Sequence, residues 1–209
     1  MMKRLDREFR AHLAESDPDM YRLVKPNPTL ALPAPRPPFE GLVRIVAGQQ
    51  LSVKAASTVF ARVTEACGGI VSPETVQRCG HLGLRAAGLS QAKVLSVLAL
   101  ADYAGPEANR LLRACEKPWA EIRPELLAVR GIGPWSADMF AMFVLGLPDV
   151  FAPGDLGLRT AMERNLGLAP NQKPAIYDRR ALVWSPYRTL ACLHLWESLK
   201  VALAGTAVS

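Results

Sequence analysis

Two stretches of the chain hold residue types suited to chemistry: "GIGPWSADMF" at 131–140 and "FAPGDLGLRT" at 151–160. In the first, Gly131-Ile132-Gly133 turns the chain, and Pro134 follows where a helix tolerates proline best, at its first position. Glycine at both ends of so short a turn permits positive φ and a close backbone approach. The N–H groups opening the next helix then point outward, with the positive end of the helix dipole behind them, an anion site suited to a phosphate. A plain αα-corner that uses glycine only to turn accounts for the triplet equally well. In the second stretch Asp155 stands alone, 22 residues after Gly133. It either caps the helix of "LGLRTAMERNLG" or carries chemistry, and the residue types alone leave both open.

The elements that must position these residues read as helices throughout. Residues 1 to 24 form an amphipathic helix and a short second piece around "DPDMYRLV". The segment "KPNPTLALPAPRPP" holds six prolines and reads as an extended connector. In "FEGLVRIVAGQQ", Leu42, Val43, Ile45 and Val46 recur at helical spacing. Ser52 is expected to cap "VKAASTVFARVTEA", which stops at Gly68-Gly69, and Ser90 to cap "QAKVLSVLALADYA", which stops at Gly105. Short helices around 74–87 and further ones at 107–116, 124–130, 134–145, 156–165, 174–182 and 186–203 complete the reading, with Pro124 opening the helix before the glycine turn. Sustained strand alternation and internal repeats are absent. The expectation is an all-α fold of about ten helices.

Composition sets outer bounds. The chain has 209 residues, half of them apolar, enough for a real core. No apolar run reaches a membrane span and the start lacks a signal-peptide core, so a cytoplasmic protein without a membrane partner is expected, nucleoid-associated if bacterial. Cys67, Cys79, Cys115 and Cys192 are too dispersed for a zinc or iron–sulfur site and read as buried thiols. His12, His81 and His194 form no metal constellation. A net charge of +6 and a pI of 9.4 point to a polyanionic partner, a weak signal unless a site agrees with it.

The ordered run "LLAVRGIGPWSA" resembles the helix–hairpin–helix element of the DNA glycosylase superfamily that shares the endonuclease III fold. "FAPGDLGLR" matches the Gly/Pro-rich loop and aspartate that continue its signature. The resemblance implies two helical lobes with an active-site cleft between them: lobe A at about 1–49 plus 149–209, and lobe B at about 50–148, barrel-like, with the helix–hairpin–helix at 124–145. Members that also cleave the DNA backbone carry a lysine second after the hairpin's last glycine. Trp135 stands there, and an indole cannot form an imine, so no lyase activity is expected. That tryptophan, "LPDVFAPGD" and "WSPYRTLACLHLWES" are similar to the 3-methyladenine DNA glycosylase II subfamily, over about residues 40–200. A compact form without that subfamily's N-terminal β-rich domain is expected.

The resemblance assigns roles residue by residue. Asp155 is the expected catalytic carboxylate, stabilising positive charge on the deoxyribose as the base departs. Asp149 and Asp138 are its rivals, read as a loop residue and a helix-surface residue. Trp135 is placed to stack on a cationic alkylated purine, with Trp196 and Tyr187 completing an aromatic wall or simply packing the core. The loop "GQQLS" matches the wedge that fills the gap left by a flipped base, with Gln50 or Leu51 at its tip. Gln49, Gln50, Leu51 and Ser52 are therefore assigned to DNA, together with Gly131, Ile132 and Gly133. Lys54, Lys93, Arg159 and Arg188 are phosphate-binding or structural charges; Trp119 and Trp184 are structural. No cofactor is implied beyond room for a monovalent cation at the 131–133 hairpin. A monomer acting on double-stranded DNA with alkylated bases is expected. Competing readings are a same-fold glycosylase for oxidised or mismatched bases, a non-catalytic DNA-binding module, and a helical scaffold unrelated to DNA.

Overall fold

The computed structural model describes residues 2–205, and among these every regular element is helical. Contacts divide the chain into two compact units, Met1–Pro33 with Gly146–Ser209, and Ala34–Leu145. The first boundary therefore falls at 33/34 and not near 49/50. The reason is α3 (Pro38–Gly48), whose Leu42, Val43, Val46 and Ala47 are fully buried in the core of the second unit.

The second unit is built from α3 to α9. After α3 come α4 (Val53–Ala66), α5 (Pro73–Ala86), α6 (Gln91–Ala104), α7 (Asn109–Cys115), α8 (Trp119–Leu127) and α9 (Pro134–Phe143). Helix α3 packs on α4, α6, α7 and α9, so its apolar residues are wrapped on most sides. Ser52 and Ser90 cap α4 and α6 by accepting the amides of Ala55 and Lys93, and Gly68, Gly69 and Gly105 end them at positive φ. Pro124 does not open a helix: it lies inside α8, which starts at Trp119. Buried Ile122 and Leu126, four apart, hold α8 on the core across the one hydrogen bond the proline removes.

The first unit joins both ends of the chain. It comprises α1 (Met2–Ser16), α2 (Pro18–Val24), α10 (Leu156–Asn165), α11 (Pro174–Ala181) and α12 (Arg188–Gly205). Phe9, Leu13, Met20, Val24, Trp184, Leu190 and Leu195 form its dry centre. Asp17, His194 and Asp6, buried there, are matched. Asp17 caps α2 and accepts from Trp184 Nε1 at 2.7 Å and Arg180 at 2.6 Å. Fully buried His194 donates Nε2–H to Asp6 at 2.8 Å while its Nδ1 accepts from Asn27 at 3.2 Å, a pattern that fits one neutral tautomer. Burial is the larger influence on His194 and lowers its pKa, against the pull of Asp6. The connector after α2 is tied to α1 by Arg10, which donates to the carbonyls of Val24, Asn27 and Pro28.

Candidate active site

In the first unit, Asp155 stands at the N-cap of α10, and one of its oxygens takes two donors. Its Oδ1 accepts the amide of Leu158 at 2.9 Å, closing the cap, and the indole Nε1–H of Trp196 at 3.0 Å. Two donors on one oxygen fix the rotamer and aim the carboxylate as a unit with α12. Gly157 makes room for this. A Cβ there would lie 3.2 Å from Asp155 Oδ1 and from two atoms of the Trp196 indole. The sequence points to Trp196, but nothing in it singles out Gly157.

The other members of the first unit take packing and pairing roles. Tyr187 sets its ring against Phe9 and His12 of α1, at 6.1 and 5.7 Å between centroids, which is the packing alternative. Asp149 lies in a loop, as read, and is bound by the Arg188 guanidinium at 2.7 Å and by the Ser185 hydroxyl. Burial would raise its carboxyl, but these donors hold it below the usual carboxylate range. That accounts for Arg188 as a structural charge. Arg159 lies over the Tyr177 ring at 5.1 Å with its Nε buried and without a hydrogen-bond partner.

In the second unit, the hairpin glycines differ in kind. Gly131 has φ +81°, and a Cβ there would come within 1.9 Å of Ser96 Oγ, so conformation and space both demand glycine. Gly133 is extended at φ −93° and a Cβ would meet nothing within 4 Å, so it has no internal need to be bare. As the N-cap of α9, it offers the helix no side-chain cap. Ile132 does not face outward: it is 3% exposed and anchors the hairpin in the core. Asp138 is not a helix-surface residue either. Residues 136–142 of α9 are all buried, and Asp138 pairs with Arg123 at 3.6 Å.

The 48–52 loop is fastened to that hairpin. Gln49 Nε2 donates to the Gly131 carbonyl at 3.0 Å and to Ser136 Oγ at 2.9 Å, so its side chain is a strut inside the protein and not a hand extended outward. Lys93 Nζ grips the carbonyls of Ala47 and Gln49 at 2.8 Å each. It is a structural cation, its pKa lowered by burial. Gln50 is thus left as the exposed turn residue, in left-handed backbone at φ +58°. Leu51, 41% exposed, lines a cavity of about 300 Å³ with Trp135, Met139, Phe143, Ile45 and Gly48. Arg36 and Arg44 also line it. Ser52 is engaged as a cap and Lys54 is exposed. Neither the strut nor these arginines carry a motif; only the doubled glutamine hints at two different tasks.

Hairpin, Gly/Pro loop and aspartate on an all-helical chain define a class, and comparison with known proteins agrees. The family model described as "HhH-GPD superfamily base excision DNA repair protein" matches residues 43–186. The chain belongs to this family. The "DNA-3-methyladenine glycosylase 1" of Schizosaccharomyces pombe is 30% identical over 207 residues, covering 91% of this chain and 86% of that protein. A "Probable bifunctional transcriptional activator/DNA repair enzyme AlkA" of Mycobacterium tuberculosis is 34% identical over 194 residues, and the chain spans only 38% of its length. Among solved structures, the Schizosaccharomyces pombe 3-methyladenine DNA glycosylase Mag1 in complex with abasic DNA superposes with a TM-score of 0.81 at 28% identity, over 93% of this chain and 98% of that one. Among the described residues no helix is long and apolar enough to cross a membrane, and no cluster of metal-ligating side chains occurs.

Proposed function

We propose that the chain is a monofunctional DNA glycosylase that binds double-stranded DNA as a monomer, turns an alkylated base out of the stack and hydrolyses its N-glycosidic bond. The observation that carries the reading is the Asp155 carboxylate, fixed by Trp196 Nε1 and the Leu158 amide in a family whose hairpin stands at 131–133. As the C1′–N bond breaks, positive charge develops on the deoxyribose, and a preorganised carboxylate opposes it. Water adds at C1′, its proton passes to solvent or carboxylate, and the base leaves with the bonding electron pair. Trp135 in place of an amine leaves no nucleophile for a Schiff base at that position, so the product is an abasic site in an intact strand.

On this reading Gln50, exposed at the turn, enters the stack, while Leu51 serves as a wall of the Trp135 cavity. The cavity is apolar and at the lower end of the size of ligand pockets. Arg36 and Arg44 are exposed, Arg44 with its guanidinium over the Phe60 ring at 4.9 Å, and Trp135 offers the face on which a cationic alkylated base stacks. A monovalent cation at the hairpin carbonyls belongs to the same proposal. A panel of duplexes, each with one lesion (3-methyladenine, 7-methylguanine, ethenoadenine, hypoxanthine, 8-oxoguanine), tests it under single turnover. Release of alkylated bases as free base, with alkali-labile but uncut strands, is expected. No release from any alkylated duplex rejects it.

A further inference from the structure

A second cavity in the 34–145 unit, about 980 Å³, is lined by α6, α7, α8 and the residues that follow α8. Arg110, Arg113, Lys117 and Arg130 line it, against Asp102 and Glu125. The acids are engaged: Glu125 accepts from Lys117 at 2.6 Å and Tyr103 at 3.2 Å, and Asp102 accepts from Gln77 at 3.0 Å. The Arg110 guanidinium lies over the Tyr103 ring at 4.6 Å. Burial, then Glu125, pushes the Tyr103 phenol up to about 12, so it remains a donor to Glu125 across the physiological range. None of the three arginines forms a salt bridge among the described residues. The lining therefore presents three arginines and Lys117 against two acids, both of which already accept hydrogen bonds from the protein.

We infer that this cavity is a second phosphate-binding surface, taking the backbone of duplex DNA beyond the stretch gripped by the hairpin. Two features of the cavity select that occupant. The arginines are exposed, and a single small anion at exposed charges gains little against water and salt. A polyanion instead gains through counterion release at each neutralised phosphate. The cavity is also continuous with the hairpin, since Arg130 is bonded directly to Gly131. The inference rests on the DNA-binding half of the proposed function and not on its chemistry.

The test measures binding to a duplex with an uncleavable abasic analogue as a function of salt, with the arm on either side of that site shortened stepwise. For Arg110→Gln/Arg113→Gln/Arg130→Gln, the slope of log affinity against log salt should become shallower by about 2.7, since each phosphate contact contributes about 0.9. The wild type should lose affinity when the arm that reaches the cavity is cut, and the variant should not. Arg113→Gln alone should remove about 0.9 of slope, which covers the case of a misfolded triple variant. An unchanged slope, or a change that persists on the shortest duplex, overturns the inference. So does competition by inorganic phosphate at low millimolar concentration, which marks a small-anion site. Wild-type protein that shows the slope and the arm dependence but releases no base upholds the inference and removes the enzyme reading. Base release without arm dependence does the reverse.

Discussion

Trp196 and Asp155 are joined by a 3.0 Å indole hydrogen bond onto the same oxygen that caps α10. A cap and a held carboxylate are therefore one arrangement, and a substitution must separate charge from geometry to tell them apart. Asp155→Asn keeps an oxygen for both donors and removes the negative charge. Single-turnover excision should fall by about a hundredfold or more, with the melting temperature unchanged, because asparagine caps as well as aspartate. An undiminished rate in the folded variant sinks the assignment.

Gly157→Ala probes the same pair without touching either member. The added Cβ sits 3.2 Å from Asp155 Oδ1 and from Trp196 Nε1, so the two must part by a few tenths of an ångström. Slower excision with unchanged affinity for abasic DNA is expected. Equal loss of rate and affinity would point to a general disturbance of α10.

The two hairpin glycines should divide stability from binding. Gly131→Ala forces alanine into left-handed backbone at about 1–2 kcal/mol and drives its Cβ into Ser96, so urea midpoints should drop. Adding Ser96→Gly should recover the steric part. Gly133→Ala should leave the midpoint where it is and weaken duplex binding, because only an incoming backbone needs the space. A stability loss in Gly133→Ala of the size seen at 131 contradicts this division.

The neighbouring glutamines should also part company. Gln50→Ala should slow excision from a paired duplex far more than from a mismatch, since flipping becomes the costly step. Gln49→Leu removes the strut to Gly131 and Ser136, and should lower thermal stability as well as excision. Identical behaviour of the two variants would mean the loop acts as a single structural corner.

Acid should destabilise the fold in two stages. His194 has a folded pKa below its ordinary 6.5, so below that pH the unfolded chain binds a proton that the folded chain refuses. Stability is full above 6.5 and declines as pH falls through it. Asp6, Asp17 and Asp149 are held below 3.8 by their donors despite burial, and their contributions are lost further down, below 3.8. Denaturation midpoints against pH should show both declines, and His194→Gln should flatten the upper one. A slope near 6.5 that survives in His194→Gln assigns it elsewhere.

How far the sequence reaches can be judged from these same residues. Helix starts at Ser52 and Ser90 and the stops at Gly68 and Gly105 are local events, set by side chains within one turn, and they are readable. So is the cap at Asp155, one of the two roles its residue type leaves open. Where tertiary packing overrides local preference the sequence misleads: Pro124 lies inside α8 because Ile122 and Leu126 are buried together, and Asp138 is enclosed because residues 136–142 of α9 are all buried. Gln49 and Gln50 are adjacent and chemically identical, and only the backbone turn at φ +58° sends one inward and leaves the other out. No composition or period encodes that choice.

The Asp6–His194 contact joins residues 188 apart, with Asn27 on the other ring nitrogen of the histidine, and so ties α1 to α12. During synthesis this sets an order of events. The segment 34–145 emerges with all the partners of its core already made, whereas α1 and α2 leave the ribosome ahead of it and wait until that whole segment and more is made before His194 arrives. For that interval the apolar face of Phe9, Leu13 and Met20 has no home. A chain released early, anywhere before α12, therefore has a finished middle and an unsatisfied beginning, the kind of surface chaperones and proteases attend to.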